Sequence, residues 1–199
     1  NKLFYIILTA FALFCISIQI FMPYLILYYN VSLGMDDYVL IMAPAVILAA
    51  IVTAFYGRVY DRFHFKVAVM PAVGILMLGY VFLYFFQSTV LVFIGSLFMM
   101  SGYLMGMAVF GAMLRDYTPE NRSGMFQGLR IVGQVLVPGM IGPWIGAQVL
   151  ANAKTILNDD GTYSFVPNEN IFLAAFVAAC FIWLVLAVIF KLIKKLKEI

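Results

Sequence analysis

The charged residues of this chain divide it into long uncharged apolar runs. Residues 3–35, 38–57 and 67–114 contain no charged side chain. About 20 apolar residues cross the hydrocarbon core of a bilayer as one helix, whereas an ionisable residue at the bilayer centre costs several kcal/mol. Because 65% of the residues are hydrophobic and only 11% are charged, the composition excludes a soluble domain. The runs therefore predict membrane-spanning helices.

We predict an all-α membrane protein, a single bundle of six transmembrane helices over residues 1–199. The third run is too long for one crossing, and its polar interruption at Gln87-Ser88-Thr89 predicts a turn between two helices. The predicted helices cover about residues 3–29, 38–56, 67–86, 90–114, 127–150 and 171–190, and residues 151–170 form an external loop. Asn158–Gly161 and the β-prone residues after it predict a turn and a short strand in that loop. This segment is either a small lid or a plain connector.

Basic residues predict the orientation of the bundle. Eleven of the 12 Lys and Arg residues fall on one predicted side of the membrane, and Lys154 is alone on the other. Since cytoplasmic loops retain Lys and Arg, we predict an integral protein of the plasma (inner) membrane with both termini in the cytosol. The chain starts without Met, close to its first apolar run, and this predicts a segment of a longer protein.

The turn after the second predicted helix carries the most specific pattern in the chain. It contains Gly57, Asp61, Arg62 and Lys66, which combine a glycine suited to close helix approach with an acid and bases at the membrane face. A carboxylate at a membrane face can cap the positive N-terminus of a helix, so these residues are candidates for a functional site. The alternative is that they are ordinary charges of a cytoplasmic loop.

A second charged segment follows the fourth predicted helix. Arg115, Asp116, Glu120 and Arg122 lie on the same predicted face of the membrane as Arg62. A network of salt bridges between the two loops is the interaction that this arrangement suggests. Exposed ion pairs contribute little to stability, so its role would be to favour one conformation over another.

Polar residues inside two predicted helices are the substrate-cavity candidates. Gln19 and Tyr24 lie in the first helix, and Gln127, Arg130 and Gln134 share one face of the fifth because they are three or four residues apart. Polar side chains in a membrane helix either line a cavity or bond to a neighbouring helix. Small residues in the fourth and fifth helices are interpreted as packing sites; they are Gly102, Gly106, Gly139, Gly142 and Gly146.

The turn resembles the loop signature G-x-x-x-D-R-x-G-x-K/R of the major facilitator transporters. Gly57, Asp61, Arg62 and Lys66 match it, and His64 stands where the family usually has Gly. The resemblance implies that the chain is one six-helix repeat, half of a major facilitator fold.

Three stretches extend the resemblance along the chain. Residues 19–25, 56–61 and 124–130 are similar to the C-terminal half of the glycoside-pentoside-hexuronide cation symporters. The resemblance implies a missing N-terminal six-helix half, a sugar-like substrate and a coupling sodium ion or proton. It also implies a conformational gate, in which Asp61 caps a helix of the opposite half, Arg62 pairs with an acid, and Glu120 and Arg122 precede the fifth helix. The remaining gate candidates are Gly57, Lys66, Arg115 and Asp116.

The implied function is cation-coupled uptake of sugars or glycosides by alternating access. The alternatives are half of a proton-coupled exporter of small amphipathic compounds and a non-catalytic packing subunit of a membrane assembly. An enzyme is not expected, because the single His is in a cytoplasmic loop and neither H-E-x-x-H nor G-x-S-x-G occurs. We expect no metal, no cofactor and no nucleic-acid partner, and we expect Cys15 and Cys180 to be free thiols.

Overall fold

The computed structural model describes residues 2–118, 123–157 and 161–197. Within these ranges the chain is an all-α membrane protein, with five helices long and apolar enough to cross a bilayer. These helices are α1 (Lys2–Ser32), α2 (Tyr38–Phe85), α3 (Thr89–Asp116), α4 (Ser123–Val149) and α5 (Asn170–Lys197).

The helix α2 is broken at His64. Its 48 residues would measure about 70 Å as a straight helix, more than twice the ~30 Å hydrocarbon core. His64 has φ 62° and ψ −179°, which is not helical. The Tyr56 hydroxyl donates to the Ala68 carbonyl at 2.7 Å, although residues twelve positions apart in a straight helix are separated by about 18 Å. The chain therefore turns back at His64, between a first arm (residues 38–63) and a second arm (residues 65–85).

The structure corrects several predicted helix limits. Residues 57–66 were expected to form a turn between two helices, but all of them except His64 are helical. The α1 helix continues to Ser32 and α4 begins by Ser123, both beyond the predicted ends. The reason is that charged and polar side chains at a membrane face can point to solvent while the backbone keeps its helical hydrogen bonds. A charged residue therefore indicates that the chain is near the membrane surface, but it does not end a helix.

The second arm of α2 and α3 form an antiparallel hairpin with backbones in contact. A Cβ added to Gly79 would meet the backbone of Met99, and one added to Gly102 would meet the backbone of Leu76. Small residues allow this close approach in membrane helices. The predicted turn near Gln87 and the packing role of Gly102 are confirmed.

The α1 helix is the most buried of the five. It packs along α5 and α4, and its side chains also reach the second arm and α3. Two hydroxyl pairs join it to them: Ser17 Oγ lies 3.2 Å from the Tyr80 hydroxyl, and the Tyr29 hydroxyl lies 2.6 Å from Ser96 Oγ. Gly106 on α3 leaves room for a phenylalanine ring of α1, as its predicted packing role requires. Interhelical hydrogen bonds of this kind stabilise membrane bundles by about 1 kcal/mol each.

Both helices that carry the cavity candidates depart from α geometry. In α1 a 3₁₀ turn covers Met22–Tyr24 and includes Pro23, and in α4 a π turn covers Val132–Leu136. Pro138 follows that π turn and has no N–H to donate to the carbonyl of Gln134. Missing proline donors are an ordinary cause of such irregular turns.

One end of the bundle collects most of the basic residues. The rings of Phe4 and Phe126, near the starts of α1 and α4, have centroids 4.6 Å apart, and Lys66 Nζ lies 5.6 Å from the Phe190 ring centroid on α5. Phe110 of α3 contacts both Phe11 of α1 and Phe65 beside the break, so the break in α2, the starts of α1 and α4 and the end of α5 are neighbours. The described basic residues at this end are Lys2, Arg58, Arg62, Lys66, Arg115, Lys191, Lys194 and Lys195.

The opposite end carries a short antiparallel hairpin. Its strands are β1 (Thr155–Leu157) and β2 (Tyr163–Phe165), and the Ser32 hydroxyl of α1 donates to the Pro167 carbonyl just after it. The predicted strand is confirmed. Residues 158–160 of the predicted turn lie outside the described residues, and the choice between lid and connector stays open.

Candidate functional site

The acid of the signature turn is displayed at the basic end of the bundle. Asp61 is exposed and has no hydrogen-bond or ion-pair partner among the described residues. Arg62 is also exposed, and its Cζ lies 5.3 Å from the ring of its neighbour Phe63. Both side chains are accordingly available to a group outside the described part of the chain.

His64 occupies a backbone conformation that suits glycine. Its φ of 62° and ψ of −179° fall in a region that is essentially restricted to Gly, and a side chain there costs about 1–3 kcal/mol. This is also the position at which the resembled signature has Gly. The break therefore has the local geometry that glycine would favour, although the sequence supplies a histidine.

A phenol links the turn to the end of α3. The Tyr60 hydroxyl donates to Asp116 Oδ2 at 2.6 Å and lies 3.9 Å from Met113 Sδ. No ion pair joins residues 57–66 to residues 115–118. Where a salt-bridge network was expected, the described residues show this hydrogen bond, and Glu120 and Arg122 lie outside the described residues.

The sequence interpretation missed Tyr60. The available signal was its spacing, because Tyr56 and Tyr60 are one helical turn apart. Tyr56 bonds to Ala68 on the second arm, and Tyr60 bonds to Asp116 on α3. These two hydroxyl groups hold the end of the first arm that lies next to the break against the second arm and α3.

Gly57 does not have the expected role within the described chain. A Cβ added to it would find nothing within 4 Å, so no described helix approaches closely there. The expectation of close approach inside this bundle is wrong. Arg115 is exposed at the same end of the bundle.

Four of the five cavity candidates form two groups, and the inner group, nearer the basic end of the bundle, is Arg130 and Gln134. Arg130 Nε donates to Gln134 Oε1 at 3.1 Å. Gly111 on α3 faces this guanidinium, since a Cβ on Gly111 would lie 3.1 Å from Arg130 Nη2. Gln127 is exposed one turn earlier on α4.

The outer group, Gln19 and Tyr24, takes part in helix packing between α1 and α4. Gly142 lies against the backbone and Cβ of Gln19, and Gly146 lies against the ring of Tyr24. The Tyr24 hydroxyl donates to the Pro143 carbonyl at 3.3 Å. The packing roles predicted for Gly142 and Gly146 are confirmed, whereas Gly139, also predicted to pack, has open space around it.

The two groups do not meet in one cavity. Gln19 lies beside Gly142, and Arg130 comes twelve residues earlier on α4, or about 18 Å along its axis. A cavity of about 670 Å³ between α1, α4 and α5 is lined by apolar side chains and Asn170, and it includes none of the five candidates.

Two helices expose most of their apolar surface. In the first arm of α2 the buried residues are Ile41, Ala45 and Ala49, which form a single stripe. In α4, Trp144 is 64% exposed and Met140 is 68% exposed. Lipid or a second protein must cover such surfaces.

The described residues contain no group of three or more His, Cys, Asp or Glu side chains that would hold a metal ion. Cys15 is buried in α1 and Cys180 is exposed on α5, and both are free thiols, as expected. Compared with known proteins, the chain matches no family model and no curated protein.

Proposed function

We propose that this chain is one six-helix half of a secondary transporter of the major facilitator type. In this proposal the two arms of α2 cross the bilayer separately, which makes six crossings. The basic end of the bundle faces the cytosol, as the retention of Lys and Arg in cytoplasmic loops favours.

The observation that carries the proposal is the geometry of the signature turn. Asp61 is exposed and unpartnered among the described residues, and three residues later the chain breaks at His64 in a glycine-type conformation. A carboxylate displayed in this way is suited to cap the N-terminus of a helix that belongs to another bundle, where unpaired N–H groups and the helix dipole favour negative charge.

The exposed helices support the same proposal. The first arm of α2 and α4 bury few of their residues, and Gly57, Gly128 and Gly139 on them have open space where a neighbouring helix would fit. A companion six-helix half would cover these surfaces and complete the fold.

The transport reaction that we propose is cation-coupled uptake of sugars or glycosides by alternating access. The site would lie between the two halves near the midplane, with Gln19, Tyr24, Gln127, Arg130 and Gln134 as contributions from this half. The long uncharged runs of this chain contain no carboxylate, so we assign the sodium ion or proton to the companion half.

An Asp61→Asn variant of the native assembly tests the gate. Reconstituted in proteoliposomes, it should take up labelled sugar about tenfold more slowly or worse, the range expected when a coupling interaction is lost. Asp36→Asn removes an exposed acid at the opposite end of the bundle and serves as the matched control. Equal uptake by both variants would contradict the gate, and uptake that continues after every ion gradient is collapsed would contradict the coupling.

Counterflow separates the remaining alternatives. Sugar counterflow by the native assembly supports the symporter, whereas efflux of small amphipathic compounds without sugar counterflow identifies the exporter. If neither occurs and no companion half copurifies, the chain is a packing subunit of some other membrane assembly.

A further inference from the structure

A cavity of about 890 Å³ opens at the basic end of the bundle, outside the candidate substrate region. It lies where the break in α2, the end of α3 and the end of α5 meet. Its apolar wall includes Phe65, Phe190 and Ile193, and its polar lining includes Lys66 and Lys194. The cavity thus combines a basic part with an apolar part, which is the pattern that an amphipathic ligand requires.

The charge of the cavity favours an anion. Lys66 and Lys194 line it together with His64, and among the described residues of the lining Asp116 is the only acid. Asp116 accepts the Tyr60 hydroxyl at 2.6 Å and makes no ion pair with Lys66. The ammonium of Lys66 lies 5.6 Å from the Phe190 ring centroid and remains exposed, so its other side is open to a phosphate.

An exposed apolar track leads from the cavity along the second arm of α2. Val67 lines the cavity and is 48% exposed, and Met70 and Leu78 are exposed as well. These residues share one face of the helix because they are three and eight positions apart. An acyl chain can follow this face into the bilayer, whereas an inorganic anion would use none of it.

We propose that this cavity binds an anionic phospholipid from the leaflet at the basic end. Its phosphate lies at Lys66 and Lys194, and one acyl chain runs along Val67, Met70 and Leu78. Basic residues at a membrane surface attract anionic lipid with about 1 kcal/mol each, and the apolar track supplies the rest of the recognition. The site does not depend on the transport function proposed above.

Native mass spectrometry of the purified full chain in detergent tests the site, with phosphatidylglycerol and phosphatidylcholine of equal chain length as probes. On the unmodified chain we expect tighter binding of phosphatidylglycerol, and millimolar inorganic phosphate should not displace it. Equal binding of the two lipids would overturn the proposal without any variant being needed. Displacement by inorganic phosphate would show a simple anion site and would also overturn it.

Paired variants of equal charge locate the site. Lys66→Gln with Lys194→Gln should weaken phosphatidylglycerol binding by about tenfold or more. Lys191→Gln with Lys154→Gln removes the same charge, from residues that do not line the cavity, and should change binding by less than about threefold. Lys66→Arg with Lys194→Arg should retain binding. Equal losses in the two Gln pairs would show general charge attraction and would refute the site.

Discussion

Two parts of the bundle are both built from apolar helices but are packed very differently. The closed wall, formed by α1, the second arm of α2 and α3, has backbones in contact at Gly79 and Gly102 and a hydroxyl pair at Tyr29 and Ser96. The open wall, formed by the first arm of α2 and α4, exposes large apolar residues such as Leu40 and Met140.

The contrast shows what determines helix contact in a membrane. Lipid tails solvate an apolar side chain as well as another helix does, so hydrophobicity alone does not bring helices together. Glycines and hydroxyls mark the contacts of the closed wall. In the open wall they mark only the faces that meet neighbouring helices, as at Gly142 and Gly146, and the remaining apolar face must be covered by lipid or by a second protein.

The largest effect is expected from a methyl group placed inside the closed wall. Gly102→Ala would drive a Cβ into the backbone of Leu76 and should lower the free energy of unfolding by about 1–3 kcal/mol. Gly74→Ala, on the second arm with open space around it, should raise it by about 0.5–1 kcal/mol through helix propensity. Reversible unfolding in mixed detergent measures both. Equal changes in the free energy of unfolding for the two variants would contradict the close backbone contact at Gly102.

The next effect concerns the junction between the two walls. His64→Gly should raise the free energy of unfolding by about 1–2 kcal/mol, because glycine adopts the observed φ and ψ without strain. His64→Ala keeps a Cβ and should bring no such gain. The same unfolding assay compares the two variants, and a similar gain in both would show that the break is not strained.

A smaller effect is expected from the hydroxyl pair of the closed wall. Tyr29→Phe removes the hydrogen bond to Ser96 and should cost about 1 kcal/mol. Tyr5→Phe removes an exposed hydroxyl on the same helix and should cost almost nothing. If the two variants unfold alike, the pair does not contribute to the closed wall.

The smallest effect is expected where the open wall is tied to α3. A double-mutant cycle of Tyr60→Phe and Asp116→Ala should give a coupling free energy of about 0.5–1 kcal/mol, since this hydrogen bond is accessible to solvent. A coupling indistinguishable from zero would mean that the first arm is held by Tyr56 and packing alone.

The sequence predicted the features that depend on distance from the membrane surface and on residue size. Charges located the helix ends approximately, and glycine spacing predicted the contacts at Gly102, Gly106, Gly142 and Gly146. It did not predict that helix continues to both sides of His64, because a polar residue at the membrane face is equally compatible with a helix and a turn.

The sequence also missed contacts that depend on how separate helices are aligned. The pairs Tyr60–Asp116 and Tyr29–Ser96 join residues more than fifty positions apart, and no local pattern identifies such partners. The five cavity candidates were grouped by polarity, but the packing of α1 on α4 separates Gln19 from Arg130. Polarity showed which residues need partners, and the three-dimensional arrangement decided which partners they have.

The reciprocal contacts of Gly79 and Gly102 restrict how the closed wall can move. A shift of one helical turn, about 5.4 Å, would bring a neighbouring side chain opposite the backbone that each glycine now touches. These contacts therefore oppose sliding of the second arm past α3. We expect a change of shape in this bundle to use its other contacts rather than shear within this pair.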